Sequence, residues 1–116
     1  MAIGAYGVEL NKGDFVVYPG RGGSRLWLKH GVITNIIDID NKRKKIQLSR
    51  GKSHITWNAT TNKWDVTQVI KQTITIHNIK NLIKVNFEDT QFNDTNHDEY
   101  QILTTLITEG KNNEIK

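Results

Sequence analysis

Residues 13–38 read GDFVVYPGRGGSRLWLKHGVITNIID, and this stretch decides the fold class. It opens with Phe15, Val16, Val17 and Tyr18, a β-branched and aromatic run of strand length that Pro19-Gly20 closes as a turn. It ends with HGVITNIID from His30 to Asp38. There Val32, Thr34 and Ile36 alternate with Ile33, Asn35 and Ile37, the period of a half-buried strand whose last part is apolar on both faces. Residues 18–31, between these runs, hold four glycines, three cations (Arg21, Arg25, Lys29) and no acid. Such a segment reads as a flexible cationic loop joining two strands.

The same pattern continues outward. A hairpin turn is expected over 39–42, followed by a return strand in which Ile46 and Leu48 recur at period two. Ser49-Arg50-Gly51-Lys52 reads as the next turn. His54 to Trp57 and Lys63 to Val66 then flank the turn at 58–62, with Trp57 and Trp64 placed to face each other across the hairpin. Thr73 to His77 alternates cleanly, and Leu82 to Val85 supplies a closing strand. Five or six short strands in this length predict an all-β domain, a small barrel rather than a sandwich. At Phe87 the composition turns polar and acidic. A short C-terminal α-helix is expected at about 96–109, capped by Asp94, Thr95 or Asn96, with Asp98 and Glu99 in its first turn and Gly110 at its end. Tyr100, Leu103, Leu106 and Ile107 share one face of it, with Ile102 at the margin. The chain thus divides into a barrel over 1–86 and an acidic segment over 87–116.

The formal net charge of +4 conceals a polarity along the chain. Cations minus acids give 1 − 2 for residues 1–20, 9 − 2 for 21–52, 4 − 1 for 53–87 and 2 − 7 for 88–116. A block as basic as 21–52 attracts polyanions, and nucleic acid is the leading partner class. A solvated, solubilising face is the plainer account of the same charges. The chain of 116 residues has no cysteine, so disulfide frameworks and thiolate chemistry are excluded. Without a leader-like apolar run or a membrane span, a cytoplasmic location is expected.

Residues 11–37, NKGDFVVYPGRGGSRLWLKHGVITNII, resemble the KOW motif of ribosomal proteins and NusG-type transcription elongation factors. Gly13-Asp14 with Phe15-Val16-Val17 matches the motif's opening, Gly20 to Arg25 its basic loop, and Gly31-Val32-Ile33 its return strand. The connection from Pro19 to Lys29 is longer than the motif's, and Leu26-Trp27-Leu28 is more apolar. The resemblance implies an SH3-like, KOW-type barrel that binds nucleic acids or proteins. The length and the richness in Asn, Ile and Lys also resemble small early proteins of bacteriophages that act on host transcription or DNA.

The residues expected to touch nucleic acid are Arg21, Arg25, Trp27 and Lys29 in the first loop, Lys42, Arg43, Lys44 and Lys45 at the hairpin, and Arg50 and Lys52 at the following turn. In a small barrel these clusters would merge into one patch at one end. Trp27 reads first as a lid on the barrel end and second as a base-stacking side chain. His30, His54, His77 and His97 are scattered without metal-ligand spacing, and Gly20-Arg21-Gly22-Gly23-Ser24 lacks the Gly-Lys-Ser/Thr ending and the following helix of a phosphate loop. No enzyme, metal or cofactor is therefore expected. The expected function is a non-catalytic nucleic-acid-binding module with weak sequence preference, duplex DNA ahead of RNA, acting in transcription modulation or genome organisation. A protein-interaction module, such as a phage inhibitor or adaptor of a host enzyme, is the alternative.

Overall fold

A computed structural model describes the backbone of residues 2–22 and 25–114, and their side chains except at 21, 22, 25, 26, 53–55, 66–68, 113 and 114. The strands are β1 (Ala2–Ile3), β2 (Glu9–Leu10), β3 (Phe15–Gly22), β4 (Arg25–Asp38), β5 (Lys44–Asn58), β6 (Lys63–Ile76) and β7 (Ile83–Lys84). Among the described residues one α-helix, α1 (Tyr100–Glu114), follows. β1 and β2 pair with each other, and the rest form one antiparallel sheet in the order β6-β5-β4-β3-β7. The protein is therefore mostly β with a C-terminal helix, as expected. The sheet is open, with β6 and β7 at its edges, where a closed barrel was expected.

Three strands are longer than the turn residues within them imply. Pro19-Gly20 does not end β3, because odd positions of β3 turn their backbone groups towards β7, as the 3.0 Å bond from the Val85 N–H to the Phe15 carbonyl shows. β7 pairs only with Val16 and Val17, so the missing proline N–H falls on open edge. The expected turn at Ser49–Lys52 is likewise continuous strand within β5. Gly51 is buried there, and a Cβ on it would lie 2.9 Å from Glu99 Cγ, so the glycine makes room for a side chain crossing the sheet. β6 runs unbroken from Lys63 to Ile76.

The turns at 39–43 and 59–62 do follow from local chemistry. The Asp40 carboxylate accepts the backbone N–H groups of Lys42 and Arg43 at 2.9 and 2.8 Å, fixing the β4–β5 reversal. Asn58 Oδ1 accepts from the Thr60 and Thr61 N–H groups at 3.0 and 3.4 Å, and Asn62 takes the left-handed conformation at φ 55°.

Each sheet face carries its own core. One packs Val16, Tyr18, Ile33, Ile46 and Leu48 under Ala2, Leu10 and Leu82. The other packs Phe15 and Val32 under Leu103 and Leu106 of α1, with Phe87 and Phe92 alongside. α1 begins later than expected because Asp94 closes its own turn, accepting the Asn96 N–H at 2.9 Å through its side chain and the His97 N–H at 2.8 Å through its carbonyl. Gly110 does not end α1. It extends the stripe of buried Leu103 and Leu106 and half-buried Ile107 and meets Gly13, whose φ of 88° suits glycine. A Cβ on Gly13 would lie 2.8 Å from the Lys111 backbone nitrogen, and one on Gly110 would strike the Gly13 backbone. Among the described residues no helix is long and apolar enough to cross a membrane.

Glycine to alanine inside a helix ordinarily stabilises by up to about 1 kcal/mol. Here the sign reverses: Gly110→Ala is expected to destabilise by about 1–3 kcal/mol, because it overpacks backbone against backbone. Urea unfolding checks this, and an unchanged or raised midpoint would remove the helix–turn contact from the account.

Candidate nucleic-acid interface

β4 is shared by two hairpins, and where its pairing with β5 stops decides the shape of the site. The β4–β5 register runs from Asp38–Lys44 to Val32–Ser49. Beyond it, residues 25–31 of β4 pair with β3, and residues 50–58 of β5 pair with β6. Two ribbons therefore leave the same end of the sheet. At about 3.3 Å per residue they extend roughly 20 and 30 Å past the last shared pair. The molecule is correspondingly long, with extents of 56 × 37 × 24 Å.

The cations follow this geometry. Residues 17–31 carry Arg21, Arg25 and Lys29 with no acid, and residues 50–72 carry Arg50, Lys52, Lys63 and Lys71 with Asp65. The ribbons thus sum to 7 − 1 = +6. The side chains of Arg21 and Arg25 lie outside the described set, although their backbone positions at the end of the β3–β4 ribbon are described. Trp27 pairs across the ribbon with Gly20, where the missing side chain leaves it room, and Lys29 Nζ stands 5.6 Å from the centre of its ring. Trp27 is 44% exposed and belongs to neither core, so it is not the lid expected of it. Lys52 is exposed and Arg50 half-buried where the ribbons part.

The remaining cations lie elsewhere. Lys42 and Arg43 sit in the β4–β5 turn, with Lys44 and Lys45 at the start of β5, at the opposite end of β4 from the β3–β4 ribbon tip. The 14 residues of β4 separate these ends by about 40 Å, several times the ~8 Å Debye length at physiological salt. On β5 the gap is shorter, about 16 Å from Lys45 to Arg50, still about two Debye lengths, so the fields add little and the expected single patch divides in two. Arg43 also bonds Asp40 at 2.8 Å, and Lys44 pairs with Asp38. These contacts hold both aspartates below the usual carboxylate range: bonding from Lys44 acts on Asp38, and the Lys42 and Arg43 N–H groups with the Arg43 side chain act on Asp40. The same pairing raises the Lys44 ammonium.

Among the described residues the acidic C-terminal segment makes no ion pair with a ribbon lysine or arginine, and only Glu109 borders one, lining a groove with Lys71. Among the described residues its one ion pair to the sheet is His30 Nε2 with Glu99 Oε2 at 2.7 Å. His30 lies between Phe15 and Phe92, with ring centres 5.9 and 4.2 Å away, and His97 Nδ1 accepts the Glu99 N–H at 3.1 Å. Sequence spacing conceals this cluster, since 69 residues separate His30 from Glu99. A groove of about 790 Å³, lined by Asp14, Lys84, Phe87, Glu88 and Lys111 among others, lies away from the ribbons and mixes both signs of charge. Among the described residues no three His, Cys, Asp or Glu side chains cluster to hold a metal ion.

One polar cluster sits at the fork itself. Tyr18 Oη, Arg50 Nε and Gln72 Oε1 are buried with no hydrogen-bond partner among the described residues, and Arg50 and Gln72 are direct cross-strand neighbours. Burial pushes the Tyr18 hydroxyl pKa up, and the Arg50 charge opposes this in part. No protein family, curated protein or solved structure matches the chain.

The Tyr18 shift makes a signed prediction. A tyrosine whose folded pKa is raised contributes stability fully below its unfolded value and loses it as pH climbs through the raised one. An ultraviolet absorbance titration should show one tyrosine ionising above the ordinary range, a step that Tyr18→Phe abolishes. At neutral pH that variant should change stability by no more than about 1 kcal/mol, because the hydroxyl it removes is unpaired. A titration with all steps in the ordinary range contradicts the burial.

Proposed function

We propose that the chain is a non-catalytic nucleic-acid-binding module, DNA ahead of RNA, which grips the phosphate backbone with its two β-ribbons and acts in transcription modulation or genome organisation in the cytoplasm. The supporting observation is the pair of long ribbons leaving one end of the sheet with seven cations, one acid and exposed tryptophans. A two-stranded ribbon fits the major groove of B-DNA, and lysine or arginine along it neutralises phosphates without reading sequence. The resemblance of residues 11–37 to the KOW motif points the same way. The contact set proposed from the structure is narrower than that expected from sequence. It keeps Arg21, Arg25, Trp27, Lys29, Arg50 and Lys52, adds Lys63, and sets Lys42, Arg43, Lys44 and Lys45 apart.

A protein-interaction module is the second reading. It is favoured by the outer edge of β6, 14 residues with no neighbouring strand among the described residues, onto which a partner strand could add.

Binding measured by fluorescence anisotropy across a salt series separates the two readings. Each phosphate contact contributes about −0.9 to the slope of log K against log salt on duplex DNA. Lys29→Glu with Lys52→Glu should flatten that slope by about two, whereas Lys42→Glu with Arg43→Glu should leave it within about half a unit. Equal effects from both pairs would overturn the ribbon assignment. No retention of DNA or RNA at low salt would favour the protein partner.

A further inference from the structure

We infer that the β5–β6 ribbon carries a stacking platform for unpaired bases, made by Trp57 and Trp64. This rests on the nucleic-acid reading above and names the form of DNA that the site takes. The two residues face each other across the ribbon, one row from the closing turn, with Asn58 and Lys63 as the next pair. Their ring centres are 5.3 Å apart at 67°, an edge-to-face contact. That geometry uses only one of the four ring faces. The rings stay 47% and 66% exposed, and neither belongs to a core cluster. A pair serving only to zip the hairpin has no need of so much uncovered aromatic surface so far from the body of the sheet.

The charges beside the pair select the occupant. Lys63, next to Trp64, and Lys52, exposed further along β5, stand by strand alternation on the reverse face of the same two-stranded ribbon. The one acid of the ribbon, Asp65, accepts a hydrogen bond from Asn58 Nδ2 at 2.8 Å. A ribbon two strands wide with exposed rings on one face and cations on the other suits a strand that lays a nucleobase on the rings and its phosphates along the cationic side. The rings lie on the flat of the ribbon rather than beyond its turn, which suits stacking on a base already free of its partner better than prising apart a paired step. Base–aromatic stacking tolerates any base, in keeping with weak sequence preference.

The test compares two DNA probes of equal phosphate number, a blunt duplex and a shorter duplex carrying a single-stranded tail, each titrated against the full chain. The tailed probe should bind about tenfold more tightly. Trp57→Leu with Trp64→Leu, which keeps an apolar cross-strand contact but removes both rings, should erase that preference and leave blunt-duplex affinity within about twofold. Trp64→Phe should retain most of the preference, and circular dichroism of each variant reports whether the fold is intact. Equal affinity for the two probes, or a preference that survives the double leucine variant, would overturn the platform while leaving the phosphate-gripping reading in place. Failure of both probes to bind at low salt would instead remove the reading on which the platform rests.

Discussion

The pairing of β4 with β5 is the constraint on which the rest of the structure depends. It runs for only part of each strand, from Asp38–Lys44 to Val32–Ser49, and both strands continue well beyond its end. The shared part forms the body of the sheet, where Ile33, Ile46 and Leu48 lie at the centre of one core. The unshared parts become the ribbons. Had the register continued to the ends of both strands, the cations of β4 and β5 would lie side by side on one flat sheet. Because it stops at Val32, they stand on two separate arms.

The C-terminal segment supplies the second face. α1 lays Leu103 and Leu106 on Phe15 and Val32, and truncating the fully buried Leu103 to alanine would cost about 2–5 kcal/mol. Two glycine positions let the segment close on the sheet: Gly110 against Gly13 at one end of the helix and Gly51 beneath Glu99 at the other. Glu99 thereby reaches His30 on β4, the strand both hairpins share. Glu99 is thus tied to His30 at the base of the β3–β4 ribbon and Glu109 borders a groove with Lys71 at the base of the β5–β6 ribbon, while among the described residues no acid of 88–109 pairs with a ribbon lysine or arginine.

Much of this was legible in the chain, and what was not has common causes. The alternation of residues 73–77, the aspartate-driven turn at 39–43, and the facing of Trp57 and Trp64 follow from local chemistry and emerged as expected. The alternation expected over 32–37 is instead broken by a bulge between Ile33 and Asn35, which puts Ile36 in the same core as Ile33 and leaves Val32 in the other. Pro19-Gly20 and Ser49–Lys52 carry turn composition, yet they lie in strands. The proline does so because its edge of β3 is open, and Gly51 because a side chain 48 positions away occupies the space above it. Gly110 looked like a helix end and is a helix contact. Convergence of the cationic clusters failed for a related reason. A compact barrel was expected to bring its loops to one end, whereas the long strands of an open sheet carry the 42–45 cluster and the 21–29 segment to opposite ends. The core residues were readable because burial follows period; the site was not, because strand length depends on contacts remote in sequence.

Backbone amide shifts of the isotope-labelled chain, followed as a short DNA is added, test the central claim most directly. The account predicts that perturbations gather on residues 25–31 and 50–72, fade towards the Val32–Ser49 pair, and are absent from 39–45 and from α1. Perturbations centred on the 39–45 turn, or shared equally between it and the ribbons, would contradict it.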